Sequence, residues 1–394
     1  MFRKQLSLDT PDYLTRGSQE RDIVRFLKDL ANPNIAEVLF AFQETHPPRL
    51  NLVFDFHPTD LQKILFPQLD PKSTFEPPEK TAERFSGSPL DNWLWIGVLG
   101  VFDAVAAIHD PQNYTTSIPQ NASFTPVGGH FDIKPANIVI DTNGRFLLTD
   151  FGQAFFKKVK AGEESNFSIY PGTLDYRPPR SYSRQKPQNA RSNAIHSSTQ
   201  GEWWSRDYDV WSLACIAVEV LTLIIHGTDA PAAFYEERKN EDPQRLGTFW
   251  STVPSGGSLK DVLKDSVRRR LSDFQSHGDP YLARVAEQVE KMFQFDRSKS
   301  VTVKSCHQEL SASVKVDRYL FKGQNDEIIA GEGTYITYVP CFVFRFAFWK
   351  QANSILPPLA SEQCVHHSQL IAFLRCDARY TCGETQSEIG SHSP

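Results

Sequence analysis

The sequence predicts an α+β fold, because strand-like and helix-like segments both occur along the chain. Residues 138–149 have the pattern of two short strands joined at Asn143-Gly144, a dipeptide that favours tight hairpin turns. Residues 93–109 carry apolar side chains at a density typical of a core helix. Residues 209–221 are apolar on nearly every side, which indicates a helix that is buried all round.

Two further helices are predicted from the same kind of pattern. Apolar residues recur at helical intervals over 21–30, and Asn32-Pro33 marks a turn after that helix. The second helix is predicted over 280–295.

The composition is typical of a large globular protein, and the net charge indicates no strongly charged binding partner. Of the 394 residues 40% are hydrophobic, which is ample to build a buried core. A net charge of −5 gives no reason to expect nucleic acid or an anionic membrane surface as a partner. We find no apolar run of signal-peptide or membrane-span length, and we therefore expect an intracellular protein, cytoplasmic or nuclear. The six scattered cysteines indicate free thiols.

One short stretch brings together polar groups suited to phosphoryl transfer. Asp132 offers a carboxylate for the attacking hydroxyl, and Lys134 offers a cation that can reach the moving phosphoryl group. Asn137 and Asp150 offer hard oxygen ligands of the kind that Mg²⁺ prefers. The hairpin predicted between Asn137 and Asp150 would hold these two residues next to each other.

The chain resembles the protein kinases in two motifs, H-R-D-x-x-x-x-N and D-F-G, which correspond here to 130–137 and 150–152. Phe131 departs from the pattern, because it stands where Arg is usual. The resemblance implies a two-lobed kinase fold, with a β-rich small lobe and a mainly helical large lobe, that uses ATP and Mg²⁺. A lysine at the position of Lys134 resembles the serine/threonine class of kinases and not the tyrosine class. This resemblance implies a protein substrate with a Ser or Thr hydroxyl. Several insertions make the chain resemble a divergent group of fungal kinases.

The resemblance continues towards the C-terminus. Residues 172–180 are similar to the end of an activation segment, in which Thr173 would help to position the catalytic loop. Asp209 would accept hydrogen bonds from the backbone of that loop, and such pairing makes a buried charge tolerable. His130 is the third residue to which the resemblance gives a structural role.

One ion pair of the kinase pattern is missing from the sequence. Arg180 stands where kinases have a Glu, and Ser300 stands where they have its Arg partner. Loss of both halves together is expected, because one half alone would be an unpaired buried charge. Arg180 would then face solvent or pair with a nearby acid such as Glu219.

Towards the N-terminus, residues 50–61 resemble the last strand of the small lobe and the hinge after it, with a pattern closest to cyclin-dependent kinases. Phe54 would lie at the gate of the adenine pocket, and Asp60 would lie near the ribose. Asp55 and Phe56 complete the nucleotide contacts that the resemblance implies here.

Lys4 is the candidate for the lysine that contacts the phosphates of ATP. It precedes Asp22 by about the distance at which that lysine precedes its helix carboxylate in kinases. Asp22 fits this spacing better than Glu20 does, but the sequence leaves the choice between them open. No G-x-G-x-x-G segment precedes Lys4, which implies a truncated small lobe without a glycine-rich loop and a weak nucleotide site.

The resemblance also divides the chain into parts. We expect a partial small lobe, a large lobe and a C-terminal extension of unknown role, at 1–56, 57–312 and 313–394. Insertions into the large lobe are expected at about 67–91, 112–129 and 181–205.

Two functions are consistent with these residues. The first is an ATP-dependent protein serine/threonine kinase, which the catalytic and metal-binding motifs favour. The second is a catalytically impaired, kinase-like binding or scaffold protein, which the absent glycine-rich segment and the lost ion pair favour.

Overall fold

A computed structural model of the chain describes residues 1–8, 11–69, 88–113, 124–160, 167–169, 172–179, 202–242, 244, 246–296 and 299–312. All of them lie in the first of the two units into which the chain divides, Met1–Phe321. The extension 313–394, Arg180 and most of each predicted insertion lie outside the described residues, so the expectations for them stay predictions.

The N-terminal lobe is a three-stranded antiparallel sheet with one long helix beside it. Its strands are β1 (Phe2–Ser7), β2 (Val38–Thr45) and β3 (Pro48–Phe54), with β3 in the centre. Helix α1 (Pro11–Leu30) contains the helix predicted over 21–30 and begins earlier. Alternate residues of β3 are buried in a small apolar cluster, which holds the sheet against the rest of the protein.

The C-terminal lobe is mainly helical. Its helices among the described residues are α2 (Leu61–Leu65), α3 (Trp93–His109), α4 (Asp207–His226), α5 (Ala230–Asn240), α6 (Asp265–Ser276), α7 (Pro280–Met292) and α8 (Val303–Ser311). Its strands are β4 (Thr59–Asp60), β5 (Phe124–Gly129), β6 (Ile138–Ile140), β7 (Phe146–Leu148), β8 (Phe155–Lys160), β9 (Phe167–Ile169), β10 (Glu202–Trp204), β11 (Trp250–Ser255) and β12 (Ser258–Leu263).

These strands form small antiparallel sheets around the helices. One sheet has the order β4-β6-β7, and the pairs β5-β8, β9-β10 and β11-β12 are each two-stranded. The β6-β7 pair is the hairpin predicted from Asn143-Gly144, and Gly144 has the positive φ of 78° that its turn requires. That prediction is confirmed.

Helices α3 and α4 form the centre of the main apolar core. The side chain of Asn92 caps the start of α3 by accepting a hydrogen bond from the N–H of Leu94 at 2.9 Å. Gly227 ends α4 with a φ of 88°, a conformation that favours glycine. Trp95 and Trp211 have no solvent exposure, so each central helix contributes a large side chain to this core.

Helix α3 has the bounds predicted for it, whereas α4 extends beyond 209–221 at both ends. Helix α7 ends three residues before the predicted end at 295. Among the described residues, α4 has the length and hydropathy of a membrane span, which the sequence analysis did not expect. However, 89% of that stretch is buried inside the protein, as in the core helix of a globular protein.

A turn at residues 32–36 joins the N-terminal lobe to the hairpin. The carbonyl of Asn34 accepts from the N–H of Leu148 at 2.8 Å, and the Asn34 side-chain amide donates to the carbonyl of Phe146 at 2.8 Å. A Cβ at Gly100 in α3 would lie only 2.3 Å from the Asn34 amide, so glycine is what lets the helix approach this turn. The turn thereby fixes the position of α1 relative to residues 146–150.

Candidate active site

The catalytic loop, residues 130–137, connects β5 to β6, and Asp209 of α4 holds its first two residues by hydrogen bonds. The backbone N–H groups of His130 and Phe131 each donate to a different oxygen of the Asp209 carboxylate at 2.8 Å. Phe131 has a φ of 62°, an unusual conformation for a residue with a side chain, and these two hydrogen bonds hold it there. Asp209 therefore sets the backbone path that leads into Asp132.

Asp209 is fully buried, yet it remains a charged acceptor. Burial raises the pKa of its carboxyl, but the hydrogen bond and charge of His109 and the N–H groups of the catalytic loop outweigh burial, so the pKa is lowered. The Nε2 atom of His109 lies 2.9 Å from the Asp209 carboxylate. The sequence analysis missed His109, because nothing in the local sequence marks it as a partner of a residue 100 positions away.

The side chain of Asp132 is held by donors on both of its oxygens. The ammonium of Lys134 and the amide of Asn137 donate to Oδ2 at 2.8 and 3.1 Å. The N–H and hydroxyl of Thr173 donate to Oδ1 at 2.9 and 3.0 Å. Lys134 also donates to the Thr173 hydroxyl at 2.8 Å, so the catalytic loop and segment 172–179 share one network of hydrogen bonds.

The ring of His130 supports the same loop from the other side. Its Nδ1 atom accepts from the N–H of Asp132 at 3.3 Å, which leaves Nε2 to donate to the carbonyl of Thr149 at 3.1 Å. The ring also meets that of Phe151 edge to face, with centroids 5.1 Å apart. The backbone N–H of Thr149 donates to the carbonyl of Asn137 at 2.9 Å, so the hairpin brings Asn137 close to Asp150.

Lys4 of β1 lies between two carboxylates that belong to distant parts of the chain. Its Nζ atom is 2.5 Å from Glu20 of α1 and 2.8 Å from Asp150. Burial lowers the pKa of Lys4, but the two negative charges outweigh it and the pKa is raised. For Asp150, burial raises the pKa and the charge of Lys4 outweighs that, so the pKa is lowered. For Glu20, burial raises the pKa and the charge of Lys4 offsets only part of that rise, so the pKa stays raised.

Of the two carboxylates between which the sequence left the choice open, Glu20 and not Asp22 pairs with Lys4, although Asp22 fits the spacing better. The Asp22 side chain is 65% exposed and pairs with its neighbour Arg21. Two residues of helix correspond to a rotation of about 200°, so Asp22 and Glu20 point to nearly opposite sides of α1. Glu20 lies on the same face as the buried Ile23 and Leu27, and this face packs towards β1 and residues 151–153.

The predicted hinge begins at Phe54, the last residue of β3, and extends to Asp60 of β4. Phe54 is buried in the apolar cluster of the N-terminal sheet, whereas the ring of Phe56 is exposed and Asp55 is exposed beside it. Asp60 accepts from the N–H of Lys63 at 3.0 Å and so caps the start of α2. These four residues lie in the segment that leads from β3 of the N-terminal lobe to β4 and α2 of the C-terminal lobe.

Residues 127–309 match the family model of the protein kinase domain. These residues form a protein kinase domain. The match contains the catalytic loop, Asp150 and Asp209, whereas Lys4, Glu20 and the hinge residues precede it.

Several known kinases are similar to parts of this chain. Mitogen-activated protein kinase kinase kinase A of Dictyostelium discoideum is 35% identical over 111 residues, which are 28% of this chain and 10% of that protein. Mitogen-activated protein kinase p38b of Drosophila melanogaster is 26% identical over 181 residues, which are 44% of this chain and 41% of that protein. The chain thus spans less than half the length of these curated relatives.

A solved structure is similar as well. It is a chain from the CAK complex of Chaetomium thermophilum bound to ATP-γ-S, with 18% sequence identity and a TM-score of 0.44, and the likeness covers 78% of this chain and 80% of that one.

The kinase domain also contains a buried ion pair that the sequence analysis did not predict. Arg238 donates to Glu219 at 2.8 Å, and neither side chain has any solvent exposure. The hydroxyl of Tyr176 donates to the other oxygen of Glu219 at 2.9 Å. The guanidinium of Arg238 also lies 4.4 and 4.1 Å from the ring centroids of Phe234 and Phe249.

The Arg238–Glu219 pair involves a residue, Glu219, that the sequence analysis had named in connection with the missing Arg180–Ser300 ion pair. Glu219, which the sequence offered as one possible partner for Arg180, accepts from Arg238 on one oxygen and from Tyr176 on the other; Arg180 itself lies outside the described residues. Ser300, the other position of the lost pair, is exposed. Segment 172–179 is thus tied to α4 through Tyr176 and Glu219.

Proposed function

We propose that this chain is a protein serine/threonine kinase that transfers the γ-phosphate of ATP, bound with Mg²⁺, to a hydroxyl of a protein substrate. The observation that carries the proposal is the environment of Asp132, whose two carboxylate oxygens accept four hydrogen bonds at 2.8–3.1 Å from Lys134, Asn137 and Thr173. Such a preorganised carboxylate beside a cation suits a reaction that depends on positioning and on charge.

Asp132 is the proposed acceptor for the hydrogen of the attacking hydroxyl. A group in this role must lie within hydrogen-bond reach of the hydroxyl and must keep its orientation during the reaction. The donors around Asp132 supply that orientation. Lys134, whose ammonium is 2.8 Å from the Asp132 carboxylate, is the proposed cation beside the phosphoryl group in transfer.

Asn137 and Asp150 are the proposed metal-binding residues. They offer one amide oxygen and one carboxylate, and Mg²⁺ is usually held by one or two carboxylates together with substrate phosphates and water. The described residues contain no cluster of three or more His, Cys, Asp or Glu side chains that could hold a metal without such help. When bound, Mg²⁺ would neutralise phosphate charge, so this donor set fits a metal that arrives with a nucleotide.

Lys4 is the proposed contact for the phosphates, and Glu20 is proposed to orient it. Their separation of 2.5 Å, with Asp150 at 2.8 Å from the same ammonium, supports this assignment. Phe54, Asp55, Phe56 and Asp60 are proposed to contact the adenine and ribose, which is supported by their place in the segment that connects β3 of the N-terminal lobe to β4 and α2 of the C-terminal lobe. An intracellular location, cytoplasmic or nuclear, is part of the same proposal.

The alternative is a kinase-like protein that binds nucleotide or a partner without transfer. The positions Arg180 and Ser300 favour it, because an ion pair typical of the family is replaced there. The two functions differ in one measurable respect, since both allow Mg-ATP to bind and only the first transfers phosphate.

The test measures binding and transfer on the full chain. Binding is followed by the shift in melting temperature with Mg-ATP, and transfer is followed with labelled ATP and a mixture of protein substrates. Asp150→Ala is expected to abolish the Mg-dependent shift, whereas Asp132→Asn is expected to keep the shift and lose transfer. Asp261→Asn, on the exposed β11-β12 hairpin, is the control that should change neither.

Three results would contradict the proposal in different ways. Binding without transfer by the wild-type chain supports the alternative. An unchanged Mg-ATP shift in Asp150→Ala shows that the metal site is misassigned. Equal loss of binding in Asp132→Asn shows that Asp132 acts on the nucleotide and not on the substrate hydroxyl.

A further inference from the structure

Tyr208 joins the catalytic loop to segment 172–179 through two separate contacts. It lies in the first turn of α4, immediately before Asp209, and its side chain is buried. Its hydroxyl oxygen accepts from the backbone N–H of Gly172 at 3.0 Å. Its ring meets the ring of Phe131 edge to face, with centroids 5.9 Å apart and an interplanar angle of 73°.

Gly172 lies in direct contact with the catalytic loop. A Cβ added there would be 2.5 Å from the carbonyl oxygen of Phe131 and 2.6 Å from Oδ1 of Asp132, distances that no side chain can adopt. On the other side of the loop, a Cβ at Gly129 would be 2.5 Å from the Phe131 ring. The backbone of Gly172 therefore packs against the residues on which the reaction depends, with no space between them.

The residue after Gly172 is the one that orients the catalytic carboxylate. Thr173 donates to Oδ1 of Asp132 through both its N–H and its hydroxyl, at 2.9 and 3.0 Å. The N–H groups of Gly172 and Thr173 lie on successive peptide planes that meet at the Cα of Gly172, and the close packing of Gly172 against Phe131 and Asp132 leaves these planes little room to rotate. The Tyr208 hydroxyl thus acts on Asp132 through two successive residues, Gly172 and Thr173.

The Tyr208 hydroxyl remains neutral, so its hydrogen bond to the N–H of Gly172 does not depend on pH in the physiological range. Burial, followed by the nearby charge of Asp132, raises the pKa of Tyr208 above its ordinary value, so the hydroxyl stays neutral at physiological pH. The ring packs on Phe131, which is itself fully buried and has no hydrogen-bonding group in its side chain. The connection between the loop and segment 172–179 at this point is made without any ionised side chain.

We propose that Tyr208 is a positioning residue for phosphate transfer, and that its hydroxyl holds Gly172 and Thr173 in the arrangement that orients Asp132. The inference rests on the proposed kinase function and deepens it. Helix α4 would then position the site in two ways. Asp209 accepts hydrogen bonds from the backbone of the catalytic loop, and Tyr208 accepts one from Gly172.

The test is Tyr208→Phe in the full chain, which removes the hydroxyl and keeps the ring that packs on Phe131. We expect kcat to fall about tenfold, which corresponds to the loss of one oriented hydrogen bond. The KM for ATP should stay within about twofold of the wild-type value, since Gly172 and Phe131, which Tyr208 contacts, are not among the proposed nucleotide residues. The melting temperature should fall by less than about 5 °C, so the chain remains folded during the assay.

Tyr235→Phe is the matched control. The hydroxyl of Tyr235 also bonds to segment 172–179, but it reaches Asp175 at 3.4 Å and has no contact with Gly172 or Thr173. This variant should leave kcat unchanged. A loss equal to that of Tyr208→Phe would mean that general loosening of the segment, and not the hold on Gly172, lowers the rate.

A double-mutant cycle separates positioning from simple stabilisation. If Tyr208 acts through Thr173, then Tyr208→Phe should have little further effect on kcat in a Thr173→Ala background, because contacts in one network are not additive. Fully additive losses in kcat would overturn the inference, as would a Tyr208→Phe variant with wild-type kcat. A wild-type chain without transfer activity would refute the proposed function, and the inference would fall with it.

Discussion

Substituting Arg238 with Met is expected to destabilise the kinase domain by about 3–5 kcal/mol, because it leaves a charge buried without its partner. Arg238 and Glu219 are 2.8 Å apart and both side chains are fully buried. Met fills much of the same space between Phe234 and Phe249, so lost packing is a small part of the effect. Most of it is the cost of keeping the Glu219 carboxylate in the interior.

The loss of stability should depend on pH with a definite sign. Burial raises the pKa of Glu219, and the charge of Arg238 opposes that rise. Without Arg238 the pKa of the folded protein rises further above 4.5, the ordinary value for a glutamate, so the folded state keeps a proton that the unfolded state releases. Below about pH 4.5 the variant should therefore be closest to wild type in stability. It should lose stability as the pH rises from there through the pKa of Glu219 in the folded state.

Thermal unfolding of the full chain provides the assay. For a large domain, 1 kcal/mol corresponds to at least roughly 2 °C, so Arg238→Met should lower the melting temperature by about 6–10 °C at neutral pH. Arg269→Met is the control, because Arg269 is mostly exposed and its pairs with Glu237 and Glu241 should contribute less than about 1 kcal/mol.

A second variant distinguishes the ion pair from other causes. Glu219→Gln combined with Arg238→Met removes both charges and keeps an acceptor for the hydroxyl of Tyr176. This double variant should recover part of the stability that Arg238→Met loses. The reasoning is refuted if Arg238→Met melts within about 2 °C of wild type, or if its melting temperature relative to wild type does not vary with pH.

Two other predictions concern the site itself. Glu20→Gln should weaken the Mg-ATP thermal shift by removing the charge that orients Lys4, whereas Asp22→Asn should leave the shift unchanged; equal effects in the two variants would contradict the assignment of Glu20. Phosphatase treatment should leave kcat within about twofold of the untreated protein's value. The reason is that the buried Phe131, which stands where Arg is usual, has no hydrogen-bond donor for an activation-segment phosphate. Loss of activity after that treatment would show that another residue binds such a phosphate.

The sequence alone determined the parts of the site that are close together along the chain. The catalytic loop, the β6-β7 hairpin and Asp150 occupy about twenty residues, and the spacing of their polar groups follows from local turn and strand geometry. Helix α3 was predicted to the residue from its dense apolar positions, and in the structure the side chain of Asn92 caps its start. In these cases the nearest neighbours in the sequence are also the residues that decide the conformation.

Only the tertiary structure decided which side chains meet across those elements. The choice of Glu20 over Asp22 depended on the rotation of α1 about its axis, which its packing against β1 sets and a count of residues cannot. The hydroxyl of Tyr208, 36 residues from Gly172, and the pairing of Arg238 with Glu219 depended on how α4 passes beneath the catalytic loop and beside α5. Hydrogen bonds and ion pairs act over about 3 Å, so they become definite only after the apolar core has fixed the positions of the helices.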